Sequence, residues 1–188
     1  MRKIFGKNVK SSSLVLVGDS GVGKTELINQ LRYMENPNMY IRGMSVPTYG
    51  VDILVKECRL NIEQIMNIYI WDTCGSTRLR PSALNFIKSY EMFCIVYQIS
   101  WECTCIEEYI SRWLCTIDDT SKKYNIFIVG LGESDINNLK SNHIKNFTKS
   151  LPFIICSMII TDDIPESLSV FFVNIKDYIF TKNYHLVY

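Results

Sequence analysis

The eight residues GDSGVGKT, 18–25, constrain this chain more than any other stretch. They fit G-x-x-x-x-G-K-[ST], and a chance match in a chain of 188 residues is roughly one in a couple of hundred at ordinary residue frequencies. Context strengthens the match. The apolar run SLVLVG, 13–18, reads as a buried strand leading in. Residues 24–33 read as a helix leading out, with Leu27, Ile28 and Leu31 at i, i+1 and i+4. A glycine-rich turn between strand and helix presents a row of backbone N–H groups, and the helix N-terminus adds positive potential. Ser20, Gly21, Val22, Gly23, Lys24 and Thr25 are therefore expected to cradle a phosphate, with Lys24 reaching the β and γ phosphates and the Thr25 hydroxyl on Mg²⁺.

A second feature supports the first. WDTCG, 71–75, follows the apolar run IMNIYI, 65–70. An aspartate at the end of such a strand, Asp72, holds Mg²⁺ directly or through water. Gly75 has no side chain, so its N–H could approach a γ-phosphate. The next residue is Ser76, whose side chain is too short to steer an attacking water.

The rest of the chain alternates short apolar runs with helical patterns. Residues 51–56 and 65–71 read as strands joined by a polar turn near Asn61, and 92–100, 125–131 and 151–156 as further strands. Residues 80–90, 106–117, 138–150 and 165–180 read as helices. The second of these carries Ile106, Ile110, Trp113, Leu114 and Ile117 on one side; the last carries Phe172, Ile175 and Ile179. Continuous apolar strands alternating with helices predict one α/β domain: a six-stranded, mostly parallel sheet covered on both faces by about five helices. The domain is expected over residues 10–180, with short termini at 1–9 and 181–188. Residues 34–47 form the one long irregular stretch, and such loops are usually functional.

Charge and cysteines narrow the function classes. A net charge of +1 gives no field for nucleic acid or a membrane surface. No apolar run is long enough to span a bilayer. The seven cysteines form no repeated CxxC pattern. Cys94 and Cys156 lie in apolar runs and read as small core residues, and Cys103-x-Cys105 is too little for a metal site. A reduced, cytoplasmic setting follows.

With these motifs in place the chain resembles a small GTPase of the Ras superfamily, most closely the Rab branch. GDSGVGKT is similar to the family's phosphate loop, and PTYGVDI, 47–53, to the end of its first switch. WDTCG is similar to the start of the second switch, and RWLCTID, 112–118, to the Rab-type helix after it. The resemblance covers roughly residues 10–180 and implies a P-loop NTPase fold. It implies GTP or GDP and Mg²⁺ as ligands, with Thr25, Thr48 and Asp72 serving the metal. Lys24, Thr48, Gly75 and Ser76 occupy the catalytic positions. It also implies a switch in vesicle traffic that meets effector, exchange-factor and activating proteins through its switch loops. A monomer is expected. The end TKNYHLVY has no cysteine for a prenyl group, so membrane contact is expected only indirectly.

The chain departs from the family in three places. Ser76 stands where the family has a water-orienting glutamine, and neither Thr77 nor Arg78 replaces it. Slow GTP hydrolysis and a long-lived loaded state follow, unless a partner supplies the missing groups. A non-cycling, GTP-loaded binding module that occupies Rab effectors is the rival reading. A small-molecule kinase is a more distant one, since the arginines do not cluster as a lid requires. The base-reading segment is GESD, 132–135, in place of Asn-Lys-x-Asp. If the preceding strand runs one residue long, Asp135 accepts the guanine N1 and N2 protons; otherwise that position is Ser134. The segment SMI, 157–159, replaces Ser-Ala-Lys, leaving Ser157 and Met158 against the base. Tyr40 is the candidate for packing edge-on against guanine, whereas Tyr33 reads as core. Trp71, with Tyr49 and Tyr90, is expected to form an aromatic surface beside the second switch, either as effector site or as plain packing.

Overall fold

Apolar runs without polar interruption form the middle of the sheet, where both faces are covered. In the computed structural model these are residues 14–17, 92–97 and 127–131, all buried. The structure describes residues 8–34, 48–59, 64–76, 89–118, 125–132, 144, 146–147, 153–157, 173 and 175–177. In chain order the elements are β1 (Asn8–Val17), α1 (Lys24–Tyr33), β2 (Val51–Arg59), β3 (Gln64–Thr73), β4 (Met92–Gln98), α2 (Cys103–Asp118), β5 (Asn125–Gly132) and β6 (Phe153–Ser157). The six strands form one sheet in the order β2-β3-β1-β4-β5-β6. All neighbours are parallel except β2 and β3.

That antiparallel pair behaves differently from the centre, as sequence alternation requires. Leu54, Lys56 and Cys58 of β2 and Met66, Ile68, Ile70 and Asp72 of β3 turn inward and are buried. Val51, Ile53 and Val55 turn outward and are exposed. Two-residue parity therefore carries Asp72 to the same face as the apolar residues before it. The helices bury the stripes their spacing predicts: Leu27, Ile28 and Leu31 of α1, and Ile106, Ile110, Trp113 and Ile117 of α2. Leu114 is only half-buried against that core. Cys94 is a core residue.

Two polar contacts fix the C-terminal end of α1. The buried Lys56 ammonium donates to the Leu31 carbonyl at 2.8 Å, satisfying one of the helix's last acceptors. Arg32 pairs with Asp52 at 2.8 Å and ties the helix end to the start of β2.

The structure differs from the sequence expectation at several ends. β1 begins at Asn8, inside what reads as a short terminus. The reason is pairing: Asn8 lies opposite Gln64 and the register continues to Leu16 opposite Asp72, so polar residues are drawn into the ladder. β5 reaches Gly132, one residue beyond 131, because Gly132 pairs with Ser157. α2 starts at Cys103, before its first apolar residue. Tyr33 ends α1 half-buried and is not part of the core. The helix read over 80–90 lies outside the described residues except for Ser89, which lies in a turn, and Tyr90, which is not helical. Helical backbone is described at residues 144, 146 and 147 and at 173 and 175–177, with Ile144 and Ile175 buried; Phe172 and Ile179 lie outside the described residues.

Candidate functional site

The register of the sheet brings the two informative motifs together. Leu16 of β1 lies opposite Asp72 of β3, so the carboxylate stands level with the point where the segment 18–25 leaves the sheet. Gly21 and Gly23 turn that segment with φ of 81° and 102°, and α1 starts immediately after, at Lys24. Ser20 and Gly21 are exposed at the rim, while Val22 is buried beneath it. Gln98, at the end of β4, donates to the Val22 carbonyl at 3.0 Å and holds the turn from below.

Lys24 is only 5 % exposed. Its ammonium donates to the carbonyls of Gly18 at 2.7 Å and Asp19 at 2.9 Å. A lysine carries three donors, so these two bonds aim the group across the loop and leave one proton for a further acceptor. Burial lowers its pKa, opposed by the charges of Asp72, Asp19 and Cys74.

Three oxygens converge beside it. The Thr25 hydroxyl donates to Asp72 Oδ2 at 2.6 Å, the Thr48 hydroxyl donates to the same oxygen at 2.9 Å, and the two hydroxyls lie 2.8 Å apart. Adjacent ligands on octahedral Mg²⁺ stand about 2.9 Å apart, given Mg–O bonds of about 2.0–2.1 Å. The spacing of this triad fits that ion. Asp72 has 0 % exposure, yet its second oxygen, Oδ1, has no hydrogen-bond partner among the described residues. Burial raises the Asp72 pKa; the Thr25 and Thr48 hydroxyls and Lys24 oppose the rise, and Asp52 adds to it. A lysine held toward neutrality beside an aspartate held toward protonation is the electrostatic setting that a polyanion and a divalent cation would relieve together.

Gly75 closes onto this arrangement. A Cβ there would lie 2.5 Å from both Asp19 C and Ser20 N, so only a glycine lets the chain after β3 rest on the loop peptide. Cys74 is half-buried, and its N–H is held by the Gly50 carbonyl at 2.9 Å, which links the two segments flanking the site. Ser76 follows, its N–H on Cys74 Sγ at 3.5 Å. Gly75→Ala should push residues 74–76 off the loop at a cost of about 1–3 kcal/mol, read as a lower urea midpoint with unchanged slope.

Similarity to known proteins agrees with this geometry. The profile of the family described as "Ras of Complex, Roc, domain of DAPkinase" matches residues 13–135. Ras-related protein Rab-1D of Dictyostelium discoideum is 31 % identical over 149 residues, covering 75 % of this chain and 68 % of its own length. The chain belongs to the Ras superfamily of small GTPases, as a divergent, Rab-like member. Ras-related protein Rab11B of Nicotiana tabacum is 32 % identical over 129 residues, 68 % of this chain and 55 % of that protein. Ras-related protein RABG3d of Arabidopsis thaliana is 33 % identical over 87 residues, 46 % and 39 %. The chain thus spans only 39 % and 55 % of the length of these last two relatives. The fold is accordingly the P-loop NTPase fold, with the mostly parallel sheet described above.

Within this Rab-like domain, one sheet face beside the site is apolar and open. Ile53 lies opposite Trp71 in the β2–β3 ladder, and the Trp71 and Tyr90 rings stand 5.3 Å apart. Val51 and Val55 extend the strip, and Tyr49 is 85 % exposed at its end. Ile53, Val51 and Val55 were not legible as part of this surface from composition; their alternation with Asp52, Leu54 and Lys56 is the signal that exposes them. Tyr40, Asp135 and Met158 lie outside the described residues. So do Thr77 and Arg78. Ser157 is the last residue of β6, its backbone level with Gly132. Cys103 and Cys105 sit two apart on α2 and so face different sides. No group of three or more histidine, cysteine, aspartate or glutamate side chains suited to a metal occurs among the described residues. No helix among the described residues is long and apolar enough to cross a membrane.

The sequence reading missed three residues that touch the loop: Gln98, Tyr109 and Arg112. Tyr109 lies three residues after Ile106 and four before Trp113, so helical spacing alone puts it on the buried side.

Proposed function

We propose that this Rab-like domain is a GTP- and Mg²⁺-dependent switch that hydrolyses GTP slowly. The observation that supports it best is the convergence of Lys24, Thr25, Thr48 and Asp72 beneath a loop on which Gly75 rests. Lys24 and the loop N–H groups from Ser20 to Thr25 hold the phosphates. Thr25, Thr48 and Asp72 would hold Mg²⁺, which would neutralise phosphate charge. Thr48 and Gly75 sense the γ-phosphate, each from its own switch segment. Lys24 and Thr48 are left to position the attacking water, because the Ser76 side chain is too short to do so. Asp135, Ser157, Met158 and Tyr40 take the base, with guanine weakly discriminated because both shielding lysines of the family are missing.

The apolar strip of Ile53, Trp71 and Tyr90 adjoins both switches and is the face for effectors in vesicle traffic. Exchange and activating proteins engage the same switch segments. The domain acts as a cytoplasmic monomer, without nucleic acid.

The test is the nucleotide extracted from purified protein, followed by single-turnover GTP hydrolysis with Mg²⁺ beside Ser76→Gln. Bound GTP, negligible turnover and a gain of tenfold or more in the variant, about 1.4 kcal/mol of barrier, are expected. Bound GDP, ordinary turnover and no gain would mean that the domain cycles without the missing side chain.

A further inference from the structure

The back of the phosphate loop is held by a side chain that takes no part in the site's front. β1 runs parallel to β4 with Val17 opposite Ile95, and there the pairing stops. Continuing the register by two residues would set Asp19 opposite Tyr97 and aim its N–H at the Val96 carbonyl, by the slanted bonding of parallel ladders. The Tyr109 hydroxyl stands between those two groups. It accepts from the Asp19 N–H at 2.8 Å and donates to the Val96 carbonyl at 2.9 Å. The ladder is not broken at this point but spliced through one oxygen, and the loop is displaced from β4 by its width.

The surroundings are built to keep that oxygen in place. Gly18 makes the room: its Cβ would lie 2.8 Å from the Tyr109 hydroxyl and 2.8 Å from the Val96 carbonyl. Trp101 meets the Tyr109 ring edge-on at 5.0 Å. The Arg112 guanidinium lies 5.3 Å from the ring centroid and reaches past it to the Asp19 carboxylate at 2.7 Å. The backbone and side chain of Asp19 are thus both bound by α2. Asp19 also supplies one of the two carbonyls that aim Lys24.

We infer that Tyr109 is a positioning residue for nucleotide retention: its hydroxyl, inserted between Asp19 and Val96, sets the opening of the phosphate loop and the aim of Lys24. This rests on the reading of that loop as a guanine nucleotide site. Arg112 supports Tyr109 from a half-exposed position, where an ion pair contributes little by itself.

The experiment uses the full chain loaded with labelled GDP and Mg²⁺, chased with unlabelled GDP, together with the ³¹P spectrum of the bound nucleotide. Tyr109→Phe removes the splice and lets Asp19 close on Val96. Release should then accelerate on the order of tenfold, the effect of one or two buried hydrogen bonds, and the β-phosphate resonance should move. Arg112→Ala should accelerate release roughly twofold with an unchanged melting temperature, and it decides the matter if Tyr109→Phe fails to fold. A purely structural Tyr109 would lower the melting temperature and leave the phosphorus spectrum alone, which would overturn the inference. Release at the wild-type rate in both variants would overturn it too, while wild-type retention keeps the nucleotide site intact. A wild-type chain that retains no guanine nucleotide would overturn both that reading and this inference.

Discussion

Lys24→Ala should weaken GDP and GTP binding by a factor on the order of a hundred, about 3 kcal/mol, the worth of one charge-assisted hydrogen bond to phosphate at the upper end of its range. The side chain is buried and its ammonium is aimed by the Gly18 and Asp19 carbonyls. The sign of the stability change separates binding from folding. Burial works against the charged form of Lys24, while its bonds to the Gly18 and Asp19 carbonyls and the charge of Asp72 favour it, so its removal should change the nucleotide-free fold little. The variant should therefore unfold at the same urea concentration as the wild type without nucleotide and lose the stabilisation that nucleotide confers. Titration calorimetry that finds affinity within tenfold of the wild type would remove Lys24 from the phosphate site.

Asp72→Ala should abolish the dependence of nucleotide release on Mg²⁺. In the wild type, chelation with EDTA is expected to accelerate GDP release on the order of a hundredfold, about 3 kcal/mol of metal-assisted retention. The variant should release GDP at the fast rate with or without the metal. Asp72 is the acceptor that the Thr25 and Thr48 hydroxyls share, and its buried Oδ1 has no hydrogen-bond partner among the described residues. Without the carboxylate, the two threonines lose the group that holds them 2.8 Å apart. Wild-type release that ignores EDTA would show that the triad is a plain hydrogen-bond cluster.

The two variants test different links of one chain of causes. Lys24 is placed by local sequence, because the carbonyls that aim it, those of Gly18 and Asp19, precede it by only 6 and 5 residues. Asp72 and Thr48 come from distant segments and meet only because β2, β3 and β1 pair in register. A substitution at Lys24 should thus act on phosphate alone. One in the triad should act through the metal and the first switch together.

Much of the architecture could be read from the chain before any fold was known. The apolar run 92–97 has no polar residue and became a strand buried on both faces. The alternation of Met66, Ile68 and Ile70 with Asn67 and Tyr69 marks a strand with one open face, and the same parity points Asp72 inward. Strand ends were less legible. The residues at 8–12 have no hydrophobic period of their own, and they are strand only because β3 offers them partners. The base-binding residues were the weakest part of the reading, since GESD and SMI keep little of the family's pattern, and Asp135 and Met158 lie outside the described residues.

What the sequence by itself determined is the chemistry that lives within one turn of chain: the row of loop N–H groups, the lysine beside them, and the hydroxyl of Thr25. Those follow from residue type and spacing over a few bonds, and no tertiary contact is needed to state them. Only the tertiary structure decided that Thr48 and Asp72 share one oxygen, that Gly75 rests on the Asp19–Ser20 peptide, and that Tyr109 joins that loop to β4. The physical reason is distance along the chain. Tyr109 lies 90 residues from Asp19 and 13 from Val96, and a hydroxyl finds such partners only when sheet register and helix packing have fixed all three in space.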